Sequence, residues 1–113
     1  MATEKNVDLE KNTTVILNLD RPRELVYGHK ALKKLAALTG KKLTQLDEDN
    51  FDLADLEKVI WCGLLYDAKQ HGEDLKLDQM EDLLDQAASF GDITDAMDRA
   101  MANAFQPTEK QKN

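Results

Sequence analysis

Few side chains in this 113-residue chain are suited to covalent or metal chemistry: one thiol, Cys62, and two imidazoles, His29 and His71. Cys62 sits in Trp61-Cys62-Gly63-Leu64, within the most apolar stretch of the chain, a setting that favours packing over a reactive thiolate. His29 stands where a strand gives way to a helix, and His71 stands in a polar loop. Nothing in the spacing brings an imidazole within the ~3.2 Å that a Cys–His nucleophilic pair needs. One cysteine and two distant histidines do not make a four-ligand zinc cluster. The acidic run Asp47-Glu48-Asp49-Asn50-Phe51-Asp52 offers oxygen ligands for calcium. It lacks the sharp-turn glycine and puts Phe51 at the fifth position, so it reads as a solvated, helix-capping stretch. Glycines 28, 40, 63, 72 and 91 are spaced as helix punctuation, with no phosphate-cradling loop. The expectation is a protein with no catalytic, metal-ligating or cofactor-binding residues.

Charge narrows the classes further. Fifteen Lys and Arg against 22 Asp and Glu give a net charge of -7 and leave no bulk attraction to nucleic acid or an anionic membrane. The balance is uneven. Residues 1–42 hold nine basic and five acidic side chains, whereas residues 43–113 hold six and seventeen. Lys30, Lys33, Lys34, Lys41 and Lys42 cluster on or just beyond one expected helix and form a candidate basic contact patch, which Arg21 and Arg23 could extend. The acidic remainder, the lack of an aromatic stacking platform and the lack of a basic recognition helix argue against direct DNA or RNA binding. The opposed halves also admit head-to-tail self-association. A single cysteine suits a reducing compartment. No apolar run is long enough to span a bilayer, and Met1-Ala2-Thr3-Glu4-Lys5-Asn6 has no signal-peptide core.

The elements that must position these residues follow from periodicity. Residues 1–12 read as a loose polar arm, 13–106 as one domain, and 107–113 as a polar tail. Thr13 to Leu19 alternates, with Val15, Leu17 and Leu19 on one side, as a half-buried strand does. Asp20 to Arg23 supplies a turn and Glu24 to Tyr27 a returning strand. A helical period then carries Ala31, Leu32, Leu35, Ala36 and Leu38, ending at Gly40 as a left-handed C-cap. Asp52 N-caps a second helix bearing Leu53, Leu56, Val59, Ile60, Gly63 and Leu64, broadened by Trp61, Cys62, Leu65 and Tyr66. A third helix is expected over about Leu77 to Ala88, broken by Gly91. A fourth, capped by Asp92, turns Ile93, Met97, Ala100, Met101, Ala104 and Phe105 inward. The fold class is α+β, mostly α: a short N-terminal β-hairpin packed on a compact four-helix domain.

Three stretches carry a resemblance: His29-Lys30-Ala31-Leu32-Lys33-Lys34-Leu35 leading to Leu38-Thr39-Gly40-Lys41, Leu56 to Leu65 around Trp61, and Leu75-Lys76-Leu77-Asp78-Gln79-Met80. With the Ala- and Met-rich run Ile93 to Phe105, they resemble the small tail assembly chaperones of long-tailed phages and prophages over about four-fifths of the chain. Lys76 departs from the pattern, which often places a helix-capping Thr there. The resemblance implies a non-enzymatic viral protein of the bacterial host cytoplasm that coats the tape measure protein during tail assembly and is absent from the mature virion. The tail tube protein is a further candidate contact. The competing readings are a tail-completion or connector subunit retained in the particle, and an acidic regulator of a host protein.

A helix-holding chaperone needs an apolar surface of moderate affinity. The width of the second helix and the inner stripe of the fourth nominate Trp61, Leu65, Tyr66, Met97, Met101 and Phe105 as the protein-binding residues.

Overall fold

The computed structural model describes residues 14–40 and 52–105. The proposed arm, the 107–113 tail, the acidic run up to Phe51, and Lys41 and Lys42 lie outside the described residues. The elements are β1 (Ile16–Asn18), β2 (Pro22–Glu24), α1 (His29–Thr39), α2 (Leu53–Gln70), a 3-10 turn (Leu77–Gln79) running into α3 (Met80–Leu84), and α4 (Phe90–Phe105). The fold is mostly helical, with the short hairpin packed against the helices, as the hydrophobic pattern predicts.

β1 and β2 pair antiparallel, with Ile16 opposite Glu24, Leu17 opposite Arg23 and Asn18 opposite Pro22. The second strand therefore starts inside the stretch expected to turn. Pro22 can open it because a strand's first residue need not donate to the ladder. Leu25 still donates to the Val15 carbonyl at 2.9 Å, after which Val26 donates to the Gly63 carbonyl of α2 at 2.9 Å. The expected strand over Glu24 to Tyr27 is thus replaced by a short ladder and a segment tied to the helix. Val15, Leu17, Leu25 and Tyr27 all enter the core.

α2 is central, packing against α1, β2, α3 and the 3-10 turn. Its Val59, Ile60, Cys62 and Leu64 are buried with Leu35 of α1 and Met80 of α3. Burial of one such side chain is worth about 1.5–3 kcal/mol. Gly63 is required by its neighbours: an added Cβ would lie 2.6 Å from Tyr27 Cζ and 2.7 Å from Leu25 Cδ1. That close approach seats the hairpin on the helix and lets the Tyr27 hydroxyl donate to the Val59 carbonyl at 2.7 Å.

The caps explain the element ends. Gly40 has the left-handed conformation expected of it (φ 68°) and returns its N–H to Ala36. Asp52 accepts from the Asp55 N–H at 2.8 Å, as its position before α2 predicts. At the other end of α2, Gly72 (φ 69°) donates to Lys69, and Glu73 donates to Ala68. This six-to-one and five-to-two pairing is a Schellman closure.

Three expectations are corrected. α3 is much shorter than Leu77 to Ala88: beyond Leu84 the amides of Gln86 and Ala87 bond three residues back, and the chain turns away. Its entry lacks a capping Thr, and Gln79 Oε1 accepts the Lys76 N–H at 2.8 Å instead. α4 begins at Phe90, because Ser89 Oγ, not Asp92, caps it by accepting the Asp92 N–H at 3.1 Å. Gly91 consequently sits within the first turn of α4 and does not break a preceding helix.

Candidate functional site

Two ends of α2 are candidates, and their chemistry differs. At its C-terminal end, Arg21 Nη2 meets Asp67 Oδ2 at 2.6 Å and Glu73 Oε1 at 2.8 Å. Arg23 holds Asp20 through two bonds of 2.8 and 2.9 Å and Glu73 through a third of 2.9 Å. Asp67 also accepts the Glu24 N–H at 3.2 Å. Arg23 is buried, and bonding to it is the main reason the Asp20 carboxyl lies below its ordinary range. Arg21 chiefly does the same for Glu73. Arg21 and Arg23 are thus engaged within the chain and do not extend the lysine patch, which corrects that expectation. Beside them lies a cleft of about 450 Å³ whose walls include Asp20, Glu73, Asp78 and Asp82.

The lysines and the Trp61 region form a second area. Lys30, Lys33 and Lys34 are exposed on α1. Lys34 Nζ stands 5.5 Å from the centre of the Trp61 ring, close enough for a cation–π contact. Trp61 is half-buried, and its indole N–H donates to the Leu75 carbonyl at 3.0 Å. Leu65 is half-buried and Tyr66 is exposed. Cys62 is buried among them, and burial pushes its thiol up to about 11, far from a nucleophilic thiolate at neutral pH. His71 Nδ1 lies 2.9 Å from the Asp67 carbonyl oxygen, so that ring is tied to the end of its own helix.

Among the described residues, the N-terminal end of α2 is left open. Leu53 and Leu56 from α2 face Phe90, Thr94 and Met97 from α4 across a groove of about 370 Å³, with Asp52 and Asp98 at its edges. Leu53 and Phe90 are 67% and 57% exposed, an unusual state for two large apolar side chains that share one depression. Each is the first residue of its helix, following Asp52 and Ser89 respectively. Spacings of four, three, four and four residues put Phe90, Thr94, Met97, Met101 and Phe105 on one face of α4. Met97 is buried, Met101 half-buried and Phe105 57% exposed. The expected inward orientation of Phe105 is corrected: it ends a stripe that leads out of the groove to the surface.

The nominated residues therefore fall into two groups. Met97, Met101 and Phe105 lie on the α4 stripe, and Met97 lines the groove. Trp61 packs beside α1 and Leu75, and neither it nor Leu65 or Tyr66 lines the groove. Leu53 belongs to the apolar period expected of α2, whereas Phe90 lies between the third and fourth expected helices. The signal for Phe90 was Ser89 followed three residues later by Asp92, a capping pattern that starts α4 early.

Among the described residues no group of three or more His, Cys, Asp or Glu side chains could hold a metal ion, and no helix is long and apolar enough to cross a membrane. In chemical terms the groove is a concave apolar surface with carboxylates at its margin, suited to receiving an apolar side-chain row. No protein-family model, curated protein or solved structure matches the chain.

Proposed function

We propose that this protein is a non-enzymatic chaperone that holds helical segments of the tape measure protein during assembly of a long phage tail. The observation that carries the reading is the open groove between the starts of α2 and α4, continued along α4 by Met101 and Phe105. An amphipathic helix is recognised by apolar side chains one turn apart entering such a groove. The site is short, which suits binding that the polymerising tail tube can displace. The resemblance around Ala31-Leu32, Trp61-Cys62-Gly63-Leu64 and the Ala- and Met-rich α4 supplies the client's identity. The same reading makes the protein a component of the host cytoplasm that leaves before the virion is complete.

The test is co-expression with the tape measure protein, followed by size exclusion with mass determination. A soluble complex that is lost in Leu53→Glu and Phe90→Glu supports the reading. Equal recovery of tape measure protein with and without the chain contradicts it. Mass spectrometry of mature particles separates the reading from a tail-completion or connector subunit, which would remain in a few copies per particle.

A further inference from the structure

We infer that the groove selects among helices by charge, taking amphipathic segments whose apolar row is flanked by lysine or arginine. The inference rests on the helix-holding reading and names the class of segment held. Its basis is the groove's margin. Asp52, the N-cap of α2 with one oxygen accepting the Asp55 N–H, and Asp98 of α4 both line the groove, so a helix lying on Leu53, Phe90 and Met97 lies near a carboxylate from each of the two elements.

Two helix N-termini converge here, and their positive ends, about half a charge each, oppose this field. The two full carboxylates outweigh them. Arg99, the only basic residue of α4, is already bound to Asp95 at 2.9 Å. Among the described residues lining the groove there is no lysine or arginine. The apolar side chains supply contact without direction, and the carboxylates supply discrimination: an acidic helix of equal hydrophobicity meets like charge at Asp52 and Asp98. The lysine face of α1 in a second copy is a rival occupant, but it offers mainly Ala37 and Leu38 as exposed apolar side chains.

The test uses three synthetic 18-residue helical peptides. Two share one apolar row and carry either lysines or glutamates beside it. The third has the lysine peptide's composition with the row scrambled. Binding to the full chain is followed by fluorescence anisotropy at 50 and 300 mM NaCl. The expected result is binding of the lysine peptide at least about tenfold tighter than the other two at low salt, with the margin shrinking at high salt as screening shortens the field's reach. The double variant Asp52→Asn, Asp98→Asn should bring the lysine and glutamate peptides to within about threefold. Asparagine caps a helix about as well as aspartate, so α2 keeps its start, and circular dichroism checks this.

Equal affinity for the lysine and glutamate peptides overturns charge selection while leaving helix holding intact. Equal binding of the scrambled peptide assigns the attraction to bulk charge and also overturns it. So does a preference that survives in the double variant. Failure of every peptide overturns it as well, and co-expression with the tape measure protein then decides separately whether any helix is held. Binding confined to the chain itself, seen as self-association abolished by Lys30→Glu with Lys33→Glu, would name a second copy as the occupant and defeat the inference.

Discussion

The two ends of α2 solve opposite problems with similar materials. At the C-terminal end carboxylates meet arginines, and in the middle of α2 an aromatic ring fits over Gly63, leaving Asp67, Arg23 and Tyr27 buried with their partners in place. At the N-terminal end, carboxylates stand beside apolar side chains that the described residues leave open, Leu53 and Phe90. Satisfied polar groups and close packing make the first end structural, since altering it disturbs the fold. At the second, Leu53 and Phe90 are exposed, which is the surface proposed to receive another chain. Acidic residues stand differently at the two ends: at one an arginine answers them, and at the other Asp52 caps α2 and, with Asp98, is proposed to face a basic segment.

The largest effect expected from breaking this contrast is at Gly63. Gly63→Ala forces a Cβ to within 2.6 Å of the Tyr27 ring, and the hairpin must shift. Net destabilisation of about 2–3 kcal/mol is expected, in the range of core overpacking, measured by urea unfolding. Undiminished stability would mean the seat of the hairpin is loose.

Next in size are the charges placed at the open end. Leu53→Glu and Phe90→Glu should each leave stability within about 0.5 kcal/mol, as exposed positions usually do, because an acidic residue suits a helix's first turn. Tape measure binding should fall at least about tenfold, roughly 1.4 kcal/mol. A matching loss of stability would move these residues to the structural side of the comparison.

Acid should act on the closed end. Asp20 and Glu73 titrate below their ordinary values when folded, mainly through bonding to Arg23 and Arg21 respectively. Their contribution is therefore fully present above the ordinary carboxylate values and is lost as pH falls through those toward the lowered folded ones. The urea midpoint should hold steady from pH 8 to 6 and fall below pH 4, less steeply in Arg23→Met. An unchanged slope in that variant would show that other carboxylates govern acid sensitivity.

The smallest effect is at Gly91. An added Cβ there meets only Ser89 Oγ, at 3.7 Å, an ordinary contact. Gly91→Ala should be neutral or stabilising by up to about 1 kcal/mol through helix propensity, read from the same unfolding curves. One glycine at each end of the comparison thus separates a packing requirement from a replaceable residue.

Local rules made much of this legible. The alternation of Val15 and Leu17, the αL glycine at position 40 and the Asp52 cap each depend on neighbours a few residues away, and each appears in the structure. The arginine–carboxylate lock was not legible, because Arg21 and Arg23 find Glu73 52 and 50 residues on. In the sequence those arginines looked like additions to a basic patch. Half of the candidate site was visible as the period of Met97, Met101 and Phe105. Leu53 and Leu56 are legible as helix residues but not as groove walls, and Phe90 is obscured by Gly91, which resembles a stop, whereas the Ser89 hydroxyl makes Phe90 the first residue of α4. Trp61 attracted notice as a large aromatic, yet its N–H and one face have partners within the chain.

The most direct measurement of the central claim is methyl NMR on the methionines as a helical tape measure segment is added. Met97 lines the groove, Met101 lies on the same helical stripe, and fully buried Met80 serves as an internal control. The account predicts progressive shifts at Met97 and Met101 with Met80 nearly unmoved. Binding that leaves Met97 and Met101 unchanged would contradict it and place the contact elsewhere on the molecule.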